Sequence, residues 1–138
     1  MTSARERFEA ARVARLATVG EAAVPHLVPI VFTLAPDDDI LYSCVDHKPK
    51  RTRRLRRLAN ITANPSVSLL VDHYADDWTA LWWVRVDGRA DVVDADTTVG
   101  ACAIDLLAEK YPQYRVERPD GPVIVVRDLV WQEWAARP

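Results

Sequence analysis

Strand-sized runs dominate this chain and mostly follow one another closely, and its first half reads as an antiparallel meander. The runs are residues 13–18 (VARLAT), 25–34 (PHLVPIVFTL), 40–45 (ILYSCV), 67–71 (VSLLV), 79–93 (TALWWVRVDGRADVV) and 122–134 (PVIVVRDLVWQEW). Each is rich in β-branched, aromatic or apolar residues, and turn signals such as Gly20, Asp37-Asp38-Asp39 and Asp76-Asp77 cut several of them short. Residues 25–34 read as one buried strand, and the long run 79–93 is expected to bend or bulge at Asp87-Gly88. Side chains alternate across a strand, so Trp82, Val84 and Val86 share a core-facing side. Leu81, Trp83 and Arg85 share the other side, where Trp83 and Arg85 suit a ligand cleft or a subunit interface.

Three short helices interrupt the strands. Ser3 with Glu6 makes a capping box for a helix to about Ala11. A second helix begins near Pro49 and stops at Asn64-Pro65, with Leu55, Leu58, Ala59 and Thr62 as its buried stripe and Arg53, Arg56, Arg57 and Asn60 opposite. Asp94 or Asp96 caps a third through about Lys110, with Ala101, Ile104, Leu107 and Ala108 as its apolar stripe. Six strands with helices at the ends point to a small, mainly β, antiparallel barrel formed by residues 1–138 as a single domain.

The charge is unevenly placed. Seven of the ten residues 48–57 are basic, whereas the remainder of the chain has 11 basic against 20 acidic residues. Such a run is either a solvated helix face or the holder of an anion. Its start at a strand-to-helix junction, where backbone N–H groups and the helix dipole favour negative charge, supports the second reading for Lys48, Lys50 and Arg51, with Arg54 one turn on. For Arg53, Arg56 and Arg57 solvent or surface carboxylates are the favoured partners. A formal net charge of −2 argues against a dedicated nucleic-acid binder.

Other chemistry is sparse. There is no nucleophile elbow, Walker loop or dinucleotide fingerprint, and four glycines cannot build a Gly-rich phosphate cradle. His26, His47 and His73 lack metal-ligand spacing, so no metal site is expected; Asp46-His47 and Asp72-His73 would cluster only if two strand ends met. Cys44 and Cys102 lack CxxC spacing and read as buried free thiols. No apolar run is long enough to span a bilayer, and the charged N-terminal stretch does not read as a signal peptide, so a cytoplasmic location without a membrane span is expected. Chemistry is therefore expected to come from a bound cofactor.

The order of these features resembles the FMN-binding split β-barrel of the pyridoxamine 5'-phosphate oxidase-like superfamily. The matching features are Leu41-Tyr42-Ser43, the basic turn with Lys48 and Lys50, Asn64-Pro65, Val67-Ser68-Leu69-Leu70 and Trp82-Trp83-Val84-Arg85-Val86-Asp87-Gly88. Within it, DHKPKRTRRLRRLANI and VDHYADDWTALWWVR look like an actinobacterial branch that uses coenzyme F-420. The resemblance implies a six-stranded antiparallel split barrel and a homodimer with cofactor sites at the interface. It implies that residues 27–32 run beside the cofactor ring, with Pro29, Ile30, Val31 and Phe32 shaping its site. It places Tyr42 and Ser43 near the ribityl or phosphate portion, Lys48, Lys50, Arg51 and Arg54 at the phosphate and acidic tail, and Trp83 where the flavin oxidases carry a cofactor-contacting Gln. Leu27 and Phe32 stand where those oxidases have Arg and Lys, which argues against pyridoxine-phosphate oxidation. The implied activity is hydride transfer between the deazaflavin and a small organic substrate. An FMN-dependent oxidase, or a module that binds flavin, deazaflavin or haem without turnover, are the alternatives. No side chain is assigned as catalytic; His26, His47 and Tyr42 are candidates only.

Overall fold

Ser3 starts the first helix as the capping box predicts, its hydroxyl accepting from the Glu6 N–H at 3.1 Å in the computed structural model, which describes residues 2–46 and 55–136. This helix, α1 (Ala4–Ala10), buries Phe8. The remaining elements are β1 (Ala14–Val19), β2 (Pro25–Ile30), β3 (Thr33–Leu34), β4 (Leu41–Cys44), α2 (Arg56–Ala63), β5 (Ser66–His73), β6 (Trp82–Val93), α3 (Thr98–Lys110), α4 (Gln113–Val116) and β7 (Val123–Ala135), with a 3-10 turn at Trp78–Ala80.

The strands form one seven-stranded sheet in the order β2-β1-β5-β6-β7-β4-β3, and its pairs are antiparallel. The two edge strands, β2 and β3, are separated in the chain by Val31 and Phe32 alone. Opposite ends of the sheet are thus tied by two residues, and the sheet must curl until those ends meet. The ladder does not close there, so the barrel is split. Seven strands arise where six were expected because residues 25–34 break in two. Phe32 leaves the ladder: its N–H donates to the Tyr111 hydroxyl at 3.1 Å, and that hydroxyl also lies 2.9 Å from the Phe32 carbonyl.

The inner face holds the main core, in which Phe8, Leu16, Phe32, Leu69, Val84 and Val86 are almost wholly excluded from solvent. Phe8 packs edge-on against both Phe32 and Trp131, plugging the barrel with aromatic contacts. A second core lies where α3 covers Tyr42, Cys44, Val123 and Val125. Strand β7 is buried on both faces over Val123–Val126 for this reason.

Several local expectations are corrected. Thr97, not Asp94 or Asp96, caps α3, accepting from the Gly100 N–H at 3.0 Å. The buried stripe of α3 is Gly100, Ala103, Ile104 and Leu107, so Ala101 and Ala108 lie at its flanks. In α2 the inward side carries Asn60 and Ile61, and Thr62 is exposed. Asn60 is tolerated inside because its side-chain amide donates to the Thr18 hydroxyl at 3.0 Å. Strand β2 is a half-exposed edge rather than a buried strand, with Leu27 66% exposed. That position suits Pro25 and Pro29, which have no N–H for a second ladder. Of the two cysteines, Cys44 is buried but Cys102 is exposed. Lys48, Lys50, Arg51, Arg54, Arg53 and His47 lie outside the described residues. Among the described residues, no helix is long and apolar enough to cross a membrane.

The expected irregularity at Asp87-Gly88 is present. Asp87 pairs with Val130 but Arg89 pairs with Arg127, so β7 carries one extra residue there. Asp128 absorbs it in the left-handed region at φ 56°. Gly88 is required on the facing strand, because a Cβ would approach the Val126 Cγ1 to 2.7 Å and the Arg127 carbonyl to 2.8 Å. Gly88→Ala is therefore expected to cost about 1–3 kcal/mol. Urea unfolding checks this, and an unchanged midpoint would refute the close-packed bulge.

Candidate cofactor cleft

Four elements meet at the split in the barrel. The end of β2 supplies Pro29 and Ile30, with Val31 following; the end of β4 supplies Cys44, with Val45 and Asp46 after it; α2 supplies Arg57 and α4 supplies Tyr114. Together they line a cleft of about 360 Å³. A short strand, a short helix and an edge strand end here because the sheet cannot close, and among the described residues the backbone of β2 on its open side has no ladder partner. Ser43 braces the gap, its hydroxyl donating to the Val31 carbonyl at 2.7 Å.

The polar groups of the cleft act on one another. Tyr114 donates a short hydrogen bond to the Asp46 carboxylate. Burial, and then that bond, push the Tyr114 hydroxyl well above the ordinary phenol range. Burial likewise raises the Cys44 thiol to about 11. Burial pulls Arg57 down from its usual value, while Asp46 and Cys44 oppose the shift. Arg57 is half-buried and, among the described residues, makes no hydrogen bond or ion pair at contact distance. A cation so placed, beside one carboxylate already engaged by a tyrosine, is suited to a further anion.

The structure brings only part of the expected set together. Pro29, Ile30 and Val31 line the cleft as anticipated. Ser43 lies behind it, and Tyr42 is buried under α3 in the second core. Phe32 is fully buried in the main core, with the Lys110 ammonium 3.9 Å from its ring centroid. Trp83 does not reach the cleft of its own chain. It sits on the outer face of the sheet, opposite Asp72 and Trp134. Arg57, assigned from sequence to solvent, is at the cleft instead; Cys44, Asp46 and Tyr114 were not anticipated there. Nothing in the spacing marks Tyr114, which reaches the site from a four-residue helix about seventy positions after Asp46. His26 lies on β2 with its Nδ1 buried and, among the described residues, unpartnered, and His73 stacks on Trp82. Asp72 pairs with Arg15 at 3.2 Å, and the expected clustering of the two Asp-His ends involves His47, which lies outside the described residues. No group of metal-ligating side chains occurs among the described residues.

The family model described as pyridoxamine 5'-phosphate oxidase matches residues 2–135. The chain belongs to this family. Its split barrel is shared with solved structures of low sequence identity. The haem storage protein HutZ from Vibrio cholerae superposes with a TM-score of 0.69 at 17% identity, covering 96% of this chain and 88% of that one. A conserved hypothetical protein from Mycobacterium tuberculosis gives 0.72 at 20% identity, over 98% and 85%. A structure described as an F420 reductase gives 0.64 at 22% identity, over 93% and 94%. No curated protein matches the sequence.

The two cysteines of this family member should behave differently. A disulfide reagent near neutral pH is expected to modify Cys102 quickly and Cys44 only after unfolding; rapid reaction of both would contradict the buried thiol. The Cys44 thiol holds its proton more tightly when folded. Its contribution to stability is therefore complete below the ordinary value of 9.0 and is lost as pH rises towards 11. Denaturant midpoints should fall across that interval, and a Cys44→Ser variant should lose less.

Proposed function

We propose that the chain is a cytoplasmic oxidoreductase that binds coenzyme F-420 in this cleft and works as a homodimer. One observation carries the reading. Asp46 and Arg57, which flank the basic segment in the chain, both line the cleft. That segment and Arg57 hold the seven basic residues of 48–57. An acidic cofactor whose ring lies along β2 would bring its phosphate and glutamate tail to the rim of that cleft.

In this reading the open edge of β2 at Ile30 and Val31 offers backbone hydrogen bonds to the ring, and Pro29 contributes only a carbonyl. Lys48, Lys50 and Arg51 hold the phosphate, and Arg54 and Arg57 follow the tail. The deazaflavin, when bound, supplies the hydride donor or acceptor. Tyr114, held by Asp46 with its proton retained, positions the cleft wall and does not act as a base. Membership of a flavin-binding family and the likeness to an F420 reductase support the choice.

The outer face of the sheet supports the dimer. Leu27, Leu70, Val130 and Trp134 are 66%, 37%, 58% and 46% exposed. Register places them with Trp83 on one side of β2, β5, β6 and β7. So many apolar side chains on one surface favour a partner. Covering that face with a second copy would bury Trp83 and bring it towards the partner's ring site.

Fluorescence titration tests the cofactor. Arg57→Gln and Lys50→Ala are each expected to weaken F-420 binding by about tenfold. Tighter binding of FMN or haem by the unaltered protein, or no effect of either substitution, would overturn the assignment. Light scattering is expected to give twice the 15.6 kDa chain mass, and Val130→Asp should shift it towards the monomer.

A further inference from the structure

A second cleft, of about 520 Å³, opens beyond the β6–β7 bulge, away from the split. Ile61, Thr62 and Pro65 line it together with Arg89, Val92 and Arg127. The two arginines are directly opposed across the ladder. Like charges in that position destabilise an antiparallel pair. No hydrogen bond or ion pair joins either guanidinium to another described residue, although Asp91 and Asp128 line the same cleft.

The opposition is produced by the bulge itself. Before it, Asp87 faces Val130; continued without a shift, that register would set Arg89 against Asp128, an opposite-charge pair. The extra residue sets Arg89 against Arg127 instead, at the cost of a left-handed aspartate. Both guanidiniums are exposed within a concave wall, and each can present a planar pair of donors.

We infer that Arg89 and Arg127 form a binding site for a phosphate-type dianion, separate from the cofactor cleft. A dianion between them turns the repulsion into two charge-assisted contacts, and the cleft leaves room for whatever group bears the phosphate.

Calorimetric titration with inorganic pyrophosphate at constant ionic strength tests this. The unaltered protein and Arg57→Gln should show the same binding event at this site, within about twofold, whereas Arg89→Gln and Arg127→Gln should each weaken it by about tenfold or more. Thermal melting in chloride alone supplies a second reading: either Gln variant should melt no lower than the parent, since a like-charge opposition is removed, and pyrophosphate should no longer raise its midpoint. The inference is overturned if Arg89→Gln and Arg127→Gln leave binding unchanged, if Arg57→Gln alone abolishes it, or if either Gln variant melts lower in chloride. Because Arg57 lines the first cleft and not this one, failure there and failure here give different patterns.

Discussion

The β6–β7 ladder governs the rest of the fold through a single extra residue. In a strand the side-chain period is two, so a slip of one residue exchanges the faces. Before the bulge, Trp131 and Leu129 point into the barrel; after it, Val126 and Ile124 do. Strand β6 keeps one parity throughout, with Val84, Val86 and Ala90 inside. Without the shift, Val123 and Val125 would turn inward and Val126 would face α3. The second core under α3, and with it the position of β4 at the cleft, depends on Asp128 accepting a left-handed conformation and on Gly88 leaving space beside it.

The split follows from the same economy of backbone pairing. Two residues join opposite ends of a seven-stranded sheet, and Tyr111 satisfies the backbone of Phe32 that the ladder leaves out. An unclosed sheet has edges, and edges bear unpaired polar groups. Here one such edge is built into a cleft with a half-buried arginine. The Tyr114–Asp46 contact draws α4 against the end of β4 and sets the cleft's outer wall.

Alternation and turn chemistry made the strands, the first helix and the bulge legible in sequence, since these depend on neighbours a few residues apart. The failures have common causes. Asn60 reads as surface on an amphipathic helix, yet it faces inward because Thr18, far away in sequence, supplies an acceptor. Residues 25–34 read as one strand, because nothing local reveals that Tyr111 will take the backbone of Phe32. Arg57 reads as solvated because Asp46 and Tyr114, which make the cleft around it, belong to other elements.

By itself the sequence determined a mainly β antiparallel barrel and a concentrated basic segment, while the family and the ring-side positions at Pro29, Ile30 and Val31 were what its resemblance implied. The barrel and the basic segment reside in periodicity, composition and order along the chain. Only the tertiary structure decided that Asp46 and Arg57, on either side of that segment, line one cleft, that Tyr114 and Cys44 share it, and that two arginines confront each other across β6 and β7. Each of these depends on register and on the direction of a side chain, and a shift of one residue reverses both.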